Sequence, residues 1–161
     1  MSTPPADPAP TIEGLEAQER DLVLPRGDLA ALYELGSRMA TDGMERSLPI
    51  VIQIRFVDRL VFAAALTGST ATNDEWATRK ARVAQRFGRS SLLVRLEHER
   101  DGVDVNHIHG LPREEFLAYG GAIPLRVTGV GQVGTVAVSG LPDVDDHDFI
   151  AQHLDRFRLE G

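Results

Sequence analysis

Residues 118–142, AYGGAIPLRVTGVGQVGTVAVSGLP, hold two runs of β-branched and aliphatic residues separated by glycines and closed by Gly140-Leu141-Pro142. Ile123 to Val127 and Thr135 to Ser139 suit a pleated surface, and the glycines between them supply the backbone freedom of a tight turn. The reading is a β-hairpin whose arms run antiparallel inside a sheet. Gly129-Val130-Gly131-Gln132-Val133-Gly134 also fits G-x-G-x-x-G. That pattern cradles a pyrophosphate only where its glycines open a helix. Strand-forming residues follow here instead, so a nucleotide cradle is rejected. Gly134 is expected to permit close backbone approach within the return strand.

Outward from the hairpin, the periodicity alternates between helix and strand. Asp28 is placed to cap a helix carrying Leu29, Leu32, Tyr33, Gly36, Met39 and Ala40, up to about Asp42. Ile50, Ile52, Ile54 and Phe56 then alternate with Val51, Gln53 and Arg55, turn at Asp58-Arg59, and return through Leu60, Phe62, Ala64 and Leu66. Thr72-Asn73-Asp74-Glu75 fits a capping box for a long helix that Gly88 ends. Ser90 restarts a helical segment through Leu92, Leu93 and Leu96, and Pro112–Ala118 reads as a short helical turn. Asp143 caps a last helix with Phe149, Ile150, His153, Leu154 and Phe157 on its apolar side and Asp145 and Asp146 in its first turn. Thr11–Leu24 is a further helix candidate, and residues 1–10 read as a disordered Pro-rich tail before a single domain over 11–161. Tightly joined strand pairs separated by helices predict an α/β (α+β) fold, with an antiparallel sheet of four to five strands and helices packed mainly on one face.

A chain of 161 residues is one domain's worth. Its formal net charge of −7 argues against a nucleic-acid or anionic-membrane partner. No apolar run approaches the roughly 18 residues of a membrane span. Met1–Pro10 also lacks the basic and apolar segments of a secretory leader, so a cytoplasmic location is expected. Without cysteine there are no disulfides, thiolate nucleophiles or cysteine-ligated metals.

The candidate chemistry centres on the long helix. Arg79, Arg82, Arg86 and Arg89 recur at steps of three and four, with Lys80 beside them and no acid between Glu75 and Glu97. Such a stripe suits capture of carboxylates or phosphates; the alternatives are a solvated face or a contact with the acidic start of the last helix. Trp76 is read as a core or interface anchor, with ligand stacking as the alternative. Capping accounts for Asn73, Asp74 and Glu75, and Glu75 is also a candidate acid–base group. His107-x-His109 would place two imidazoles on one side of an extended segment, but no third ligand is apparent and no metal site is assigned. His153 reads as a core histidine. His147 lies among Asp145, Asp146 and Asp148, which would favour its protonated form; a structural role at the helix start is the simpler reading, with an acid–base group or cofactor ligand as the alternative.

Several segments together resemble the GlcG/HbpS-like, or haem-degrading-domain, family. They are Gly120-Gly121-Ala122-Ile123-Pro124, Gly134 to Gly140, Leu48-Pro49-Ile50-Val51-Ile52, Asn73-Asp74-Glu75-Trp76 with Arg79-Lys80, Arg86-Phe87-Gly88-Arg89-Ser90-Ser91, and Asp146-His147. The last four narrow the match to a subfamily of unknown function. The resemblance implies a profilin-like fold and a homo-oligomer, with haem or corrinoid binding in more distant branches. Three functional readings stand. The first is a non-enzymatic oligomer binding a small anionic ligand such as haem near Trp76, Arg79, Lys80, Arg82, Arg86 and Arg89. The second is an enzyme, haem-degrading or acting on a small acid, built on His147, Glu75, Lys80 and Arg86. The third is a protein-interaction scaffold using the sheet edge or the N-terminal tail.

Overall fold

The structure, a computed structural model, describes residues 7–160, so the first six positions of the expected tail lie outside the described residues. Eleven elements follow in chain order: α1 (Ile12–Asp21), β1 (Val23–Leu24), α2 (Leu29–Glu45), β2 (Val51–Phe56), β3 (Arg59–Ala65), α3 (Ala71–Phe87), α4 (Ser91–Arg100), α5 (Val105–His109), β4 (Ala122–Val127), β5 (Gly131–Ser139) and α6 (Asp143–Glu160). The sheet order is β1-β4-β5-β2-β3. The β4–β5 hairpin forms as the sequence predicts, with Ile123 opposite Val136 and the turn glycines Gly129 and Gly131 at φ +75° and +98°. β5 pairs antiparallel with β2 on its other side, which makes it the centre of the sheet. One strand is not antiparallel: the two-residue β1 runs parallel to β4, within the stretch expected to be helix up to Leu24.

The expectation that helices lie mainly on one face is corrected. Strand residues alternate between two cores because the side-chain period is two. Ile52, Ile54, Ile123, Leu125, Val136 and Val138 pack against α2 and α6 through Leu32, Leu35, Met39, Phe149, Ile150 and Leu154. On the opposite face Val51, Ala122 and Ala137 meet Ala77, Ala81 and Ala84 of α3. Both faces are therefore covered. Three alanines at helical spacing let α3 lie close to the sheet, and that proximity places its neighbouring side chains over the polar end of β2.

Caps set the helix boundaries. Asp28 accepts from the Ala31 amide at 2.9 Å, and Ser90 accepts from the Leu93 amide at 3.1 Å. The capping box of α3 belongs to Thr70 and Asn73, two residues before the Thr72–Glu75 pair that the sequence suggests, so Thr72 and Glu75 are exposed residues near the start of the helix. Gly88 ends α3 in the left-handed conformation, φ +63°. The stretch 107–109 is helical rather than extended, because Asp104 caps α5 through the His107 amide at 2.9 Å. Pro112–Ala118 reduces to one turn, in which the Phe116 amide donates to the Pro112 carbonyl at 3.0 Å.

Gly134 marks the tightest backbone approach in the sheet: it faces Phe56 across β2, and a Cβ there would overlap the Arg55 carbonyl. Gly134→Ala is expected to destabilise the fold by about 2–3 kcal/mol through this overpacking. Urea unfolding compared with the parent chain measures it.

Candidate functional site

Where α3 crosses the end of β2, a cavity of about 680 Å³ opens between helix and sheet. Arg55 of β2 and Arg82 and Arg86 of α3 line it, with Thr78, Gln85, Thr135, Phe116 and the Val57-Asp58 turn. Arg55 is oriented by the Gln53 side-chain oxygen, to which it donates at 2.8 Å, and Thr78 donates to the same oxygen at 3.1 Å. Burial, and then the neighbouring Arg82 charge, lower the Arg55 pKa from the usual guanidinium value. Two guanidiniums thus crowd one space. None of the three arginines has an ion-pair partner among the described residues. Arg82 donates only to the Glu115 carbonyl, at 3.3 Å. The cavity rim also holds a backbone outlier: Val57 sits at φ +57°, a β-branched residue in the left-handed region, held by its amide donating to the Val133 carbonyl at 2.7 Å.

Lys80 does not belong to this stripe. Its ammonium is 1% exposed and donates to Asp146 Oδ2 at 2.9 Å and to the Val138 carbonyl at 3.0 Å. Asp146 is equally buried, and its other oxygen accepts from the Leu141 amide at 3.0 Å. Burial pushes the Asp146 carboxyl up to about 6 and lowers the Lys80 pKa, so desolvation opposes both charges while their contact preserves them. Above the pair a second cavity, about 550 Å³, is walled by Trp76, Tyr119, Arg95 and Asp143. The Trp76 and Tyr119 rings stack with centroids 5.8 Å apart.

The residues singled out in the sequence therefore divide. Arg82 and Arg86 face the arginine cavity, and Trp76 and Lys80 belong to the second one. Arg79 donates to the Arg113 carbonyl at 3.0 Å, and Arg89 is taken up by Glu97. Glu75 lies with Arg79 in a shallow exposed cleft beyond the arginine cavity. The expected protonation of His147 is corrected: the ring is 1% exposed and donates from Nε2 to Gln18 of α1 at 2.7 Å, while Nδ1 is buried without a partner. Burial pulls its pKa down to about 4, against the raising influence of Asp143. His153 pairs with Asp42 at 2.8 Å, as a satisfied core histidine does. Arg55 was missed, although Val51-Gln53-Arg55 alternates against the isoleucines and marks a second, partly polar sheet face. Lys80 carried its own signal, since it shares the spacing of Ala77, Ala81 and Ala84 on the buried side of α3.

The sequence pattern described as haem degrading protein HbpS-like matches residues 28–155. A UPF0303 protein of Streptomyces coelicolor is 41% identical over 157 residues, 98% of both chains. A UPF0303 protein of Burkholderia thailandensis is 38% identical over 148 residues, 92% of this chain and 90% of its own. Among solved structures, the Ybr137w protein superposes with a TM-score of 0.85 at 24% identity, over 94% of this chain and 90% of its own. The PduOC:heme complex gives 0.67 at 18% identity over 80% and 91%, and HbpS gives 0.65 at 15% over 81% and 89%. These structural likenesses show the shared fold. Among the described residues no helix is long and apolar enough to cross a membrane.

Two outcomes follow from the buried groups. Lys80→Met leaves the Asp146 carboxylate buried and unpaired, which is expected to cost about 3–5 kcal/mol, and Lys80→Met with Asp146→Leu recovers much of that loss in denaturant melts. His147 holds its pKa near 4 when folded, against 6.5 when unfolded. The unfolded chain therefore binds the extra proton between those values, and the stability this group contributes is intact above pH 6.5 and lost as the pH falls through 4. Asp146 acts in the opposite sense over nearly the same interval, but it is common to the parent and the His147→Gln variant. Relative to the parent, that variant should gain roughly 3 kcal/mol between pH 7 and pH 4.

Proposed function

The chain belongs to the HbpS-like haem-degrading family, and on that premise we propose that it is a non-enzymatic binding protein that holds a small polyanion in the cavity of Arg55, Arg82 and Arg86. One observation carries the reading: on a chain of net charge −7, three guanidiniums converge on one cavity without a carboxylate partner among the described residues, and burial together with the Arg82 charge lowers the Arg55 pKa. Charge of one sign gathered in a concave, half-buried space is relieved by a ligand of the other sign. Guanidiniums match carboxylate and phosphate oxygens in pairs. Thr78, Thr135 and Gln85 supply further polar contacts, and Phe116 an apolar wall. Asp58 at the rim disfavours ligands whose negative charge extends past the arginines.

Haem, which the family label and the PduOC:heme complex bring to mind, fits this cavity in part. The arginines suit its propionates. No histidine, cysteine, methionine or tyrosine side chain lines the cavity, so the residues present supply no axial ligand for its iron. The shared chemistry is a compact ligand with two or more carboxylates or phosphates. The enzymatic reading has less support, because His147, Glu75 and Lys80 occupy three separate places and His147 is sealed from all the described cavities.

Self-assembly is part of the same proposal. β3 is an edge strand whose outer backbone is unpaired, and Tyr33, Phe56, Val57 and Leu60 near it are exposed. Light scattering is expected to give a mass above the 17.6 kDa of one chain; a monomer at that mass refutes the assembly.

A thermal-shift titration with hemin, nucleotides and di- and tricarboxylates tests the binding site. At least one polyanion is expected to raise the melting temperature. Arg82→Ala and Arg86→Ala should each weaken it by about 10–100-fold, the equivalent of one charge-assisted hydrogen bond. A ligand whose affinity is unchanged in the double variant lies elsewhere and removes this site.

A further inference from the structure

His98, in the last turn of α4, and His109, at the end of α5, meet with their Nε2 atoms 2.9 Å apart. Their rings are inclined at 68° with centroids 5.1 Å apart, and Phe87 packs edgewise on both, at 6.0 Å from His98 and 5.0 Å from His109. His98 Nδ1 lies 2.7 Å from the Val94 carbonyl. A carbonyl can only accept, so Nδ1 carries the proton, and neutral His98 presents the lone pair of Nε2 toward His109. This is the arrangement that metal-binding imidazoles adopt, in which one ring nitrogen donates to a backbone carbonyl and thereby fixes the tautomer and aims the other.

We propose that His98 and His109 form a two-histidine site for a divalent copper ion that clips α5 to α4. Copper is selected by donor type. Two imidazoles without thiolates suit late divalent transition metals, and affinities for nitrogen donors peak at Cu²⁺. In the structure the two Nε2 atoms share a hydrogen bond, His109 donating to His98, so the ion takes the place of that proton when it binds. No third histidine, cysteine, aspartate or glutamate joins the pair to make a larger cluster among the described residues, so water completes the coordination. His109 is exposed, so its ring is free to turn its lone pair toward the ion, while Phe87 holds the inner side dry.

Binding does not require the arginine cavity. Tag-free full-length protein titrated calorimetrically with Cu²⁺ is expected to show one saturable site per chain with a tetragonal, nitrogen-coordinated electron paramagnetic resonance signal. His109→Ala, a surface change, should lower the affinity by at least about tenfold and abolish the copper-dependent rise in melting temperature. His98→Gln should do the same, and His107→Ala should leave both intact. Absence of a saturable site, or an affinity that survives His109→Ala in a protein of unchanged circular dichroism, overturns the proposal.

Discussion

The buried ion pair between Lys80 and Asp146 is the constraint on which the rest of the architecture turns. It joins the middle of α3 to the end of β5 and the first turn of α6, whose contacts lie 58 and 66 residues further along the chain. Such a pair is costly to desolvate and gives little net stability beside an apolar contact of the same size. Its value here is geometric. Only one placement of α3 on the sheet brings the ammonium to both the Asp146 carboxylate and the Val138 carbonyl. Gly121 shows how closely that placement is fitted: it sits at φ +126°, and a Cβ would stand 2.5 Å from the Val138 carbonyl and 2.7 Å from the Lys80 nitrogen. The glycine pair ahead of β4 is thus a consequence of the ion pair as much as of the turn.

With α3 fixed in this way, the position of the arginine cavity follows. The alanines at 77, 81 and 84 bring the helix down on Val51, Ala122 and Ala137. Along the same face, β2 continues past its last apolar residue into Gln53 and Arg55, and α3 continues into Arg82 and Arg86. Helix and strand run out of apolar contact at the same end, and the space between them is filled by guanidiniums and the Val57-Asp58 turn. A ligand there would touch both layers, whereas one above Trp76 and Tyr119 would rest on the pair that holds the layers together.

Much of the fold was legible in the sequence. Both hairpins, the helix caps at Asp28 and Ser90 and the left-handed stop at Gly88 are local decisions, made by residues within a few positions of one another. Two readings failed for the same reason. The helix expected to reach Leu24 yields to β1, whose hydrogen-bond partners lie in β4, about a hundred residues away. The expectation of helices mainly on one face yields to α3, which buries Val51 and Gln53 on the other side of β2 and comes from a separate part of the chain. Of the arginine stripe, the helical spacing was right and the shared destination was not: Arg79 and Arg89 find partners in the loop after α5 and in α4, which spacing along α3 cannot reveal.

The sequence by itself determined the kinds of element, the antiparallel hairpins and the family, because alternation, capping and turn chemistry act over short distances. Only the tertiary structure decided the charge and accessibility of the reactive groups. Lys80 read as a companion of the arginine stripe and His147 as a protonated group, and both are buried. Asp146 sustains the charge on the first, and the apolar surroundings of the second keep it neutral. Desolvation depends on everything packed around a group, and that surrounding is assembled from distant parts of the chain only when the layers close.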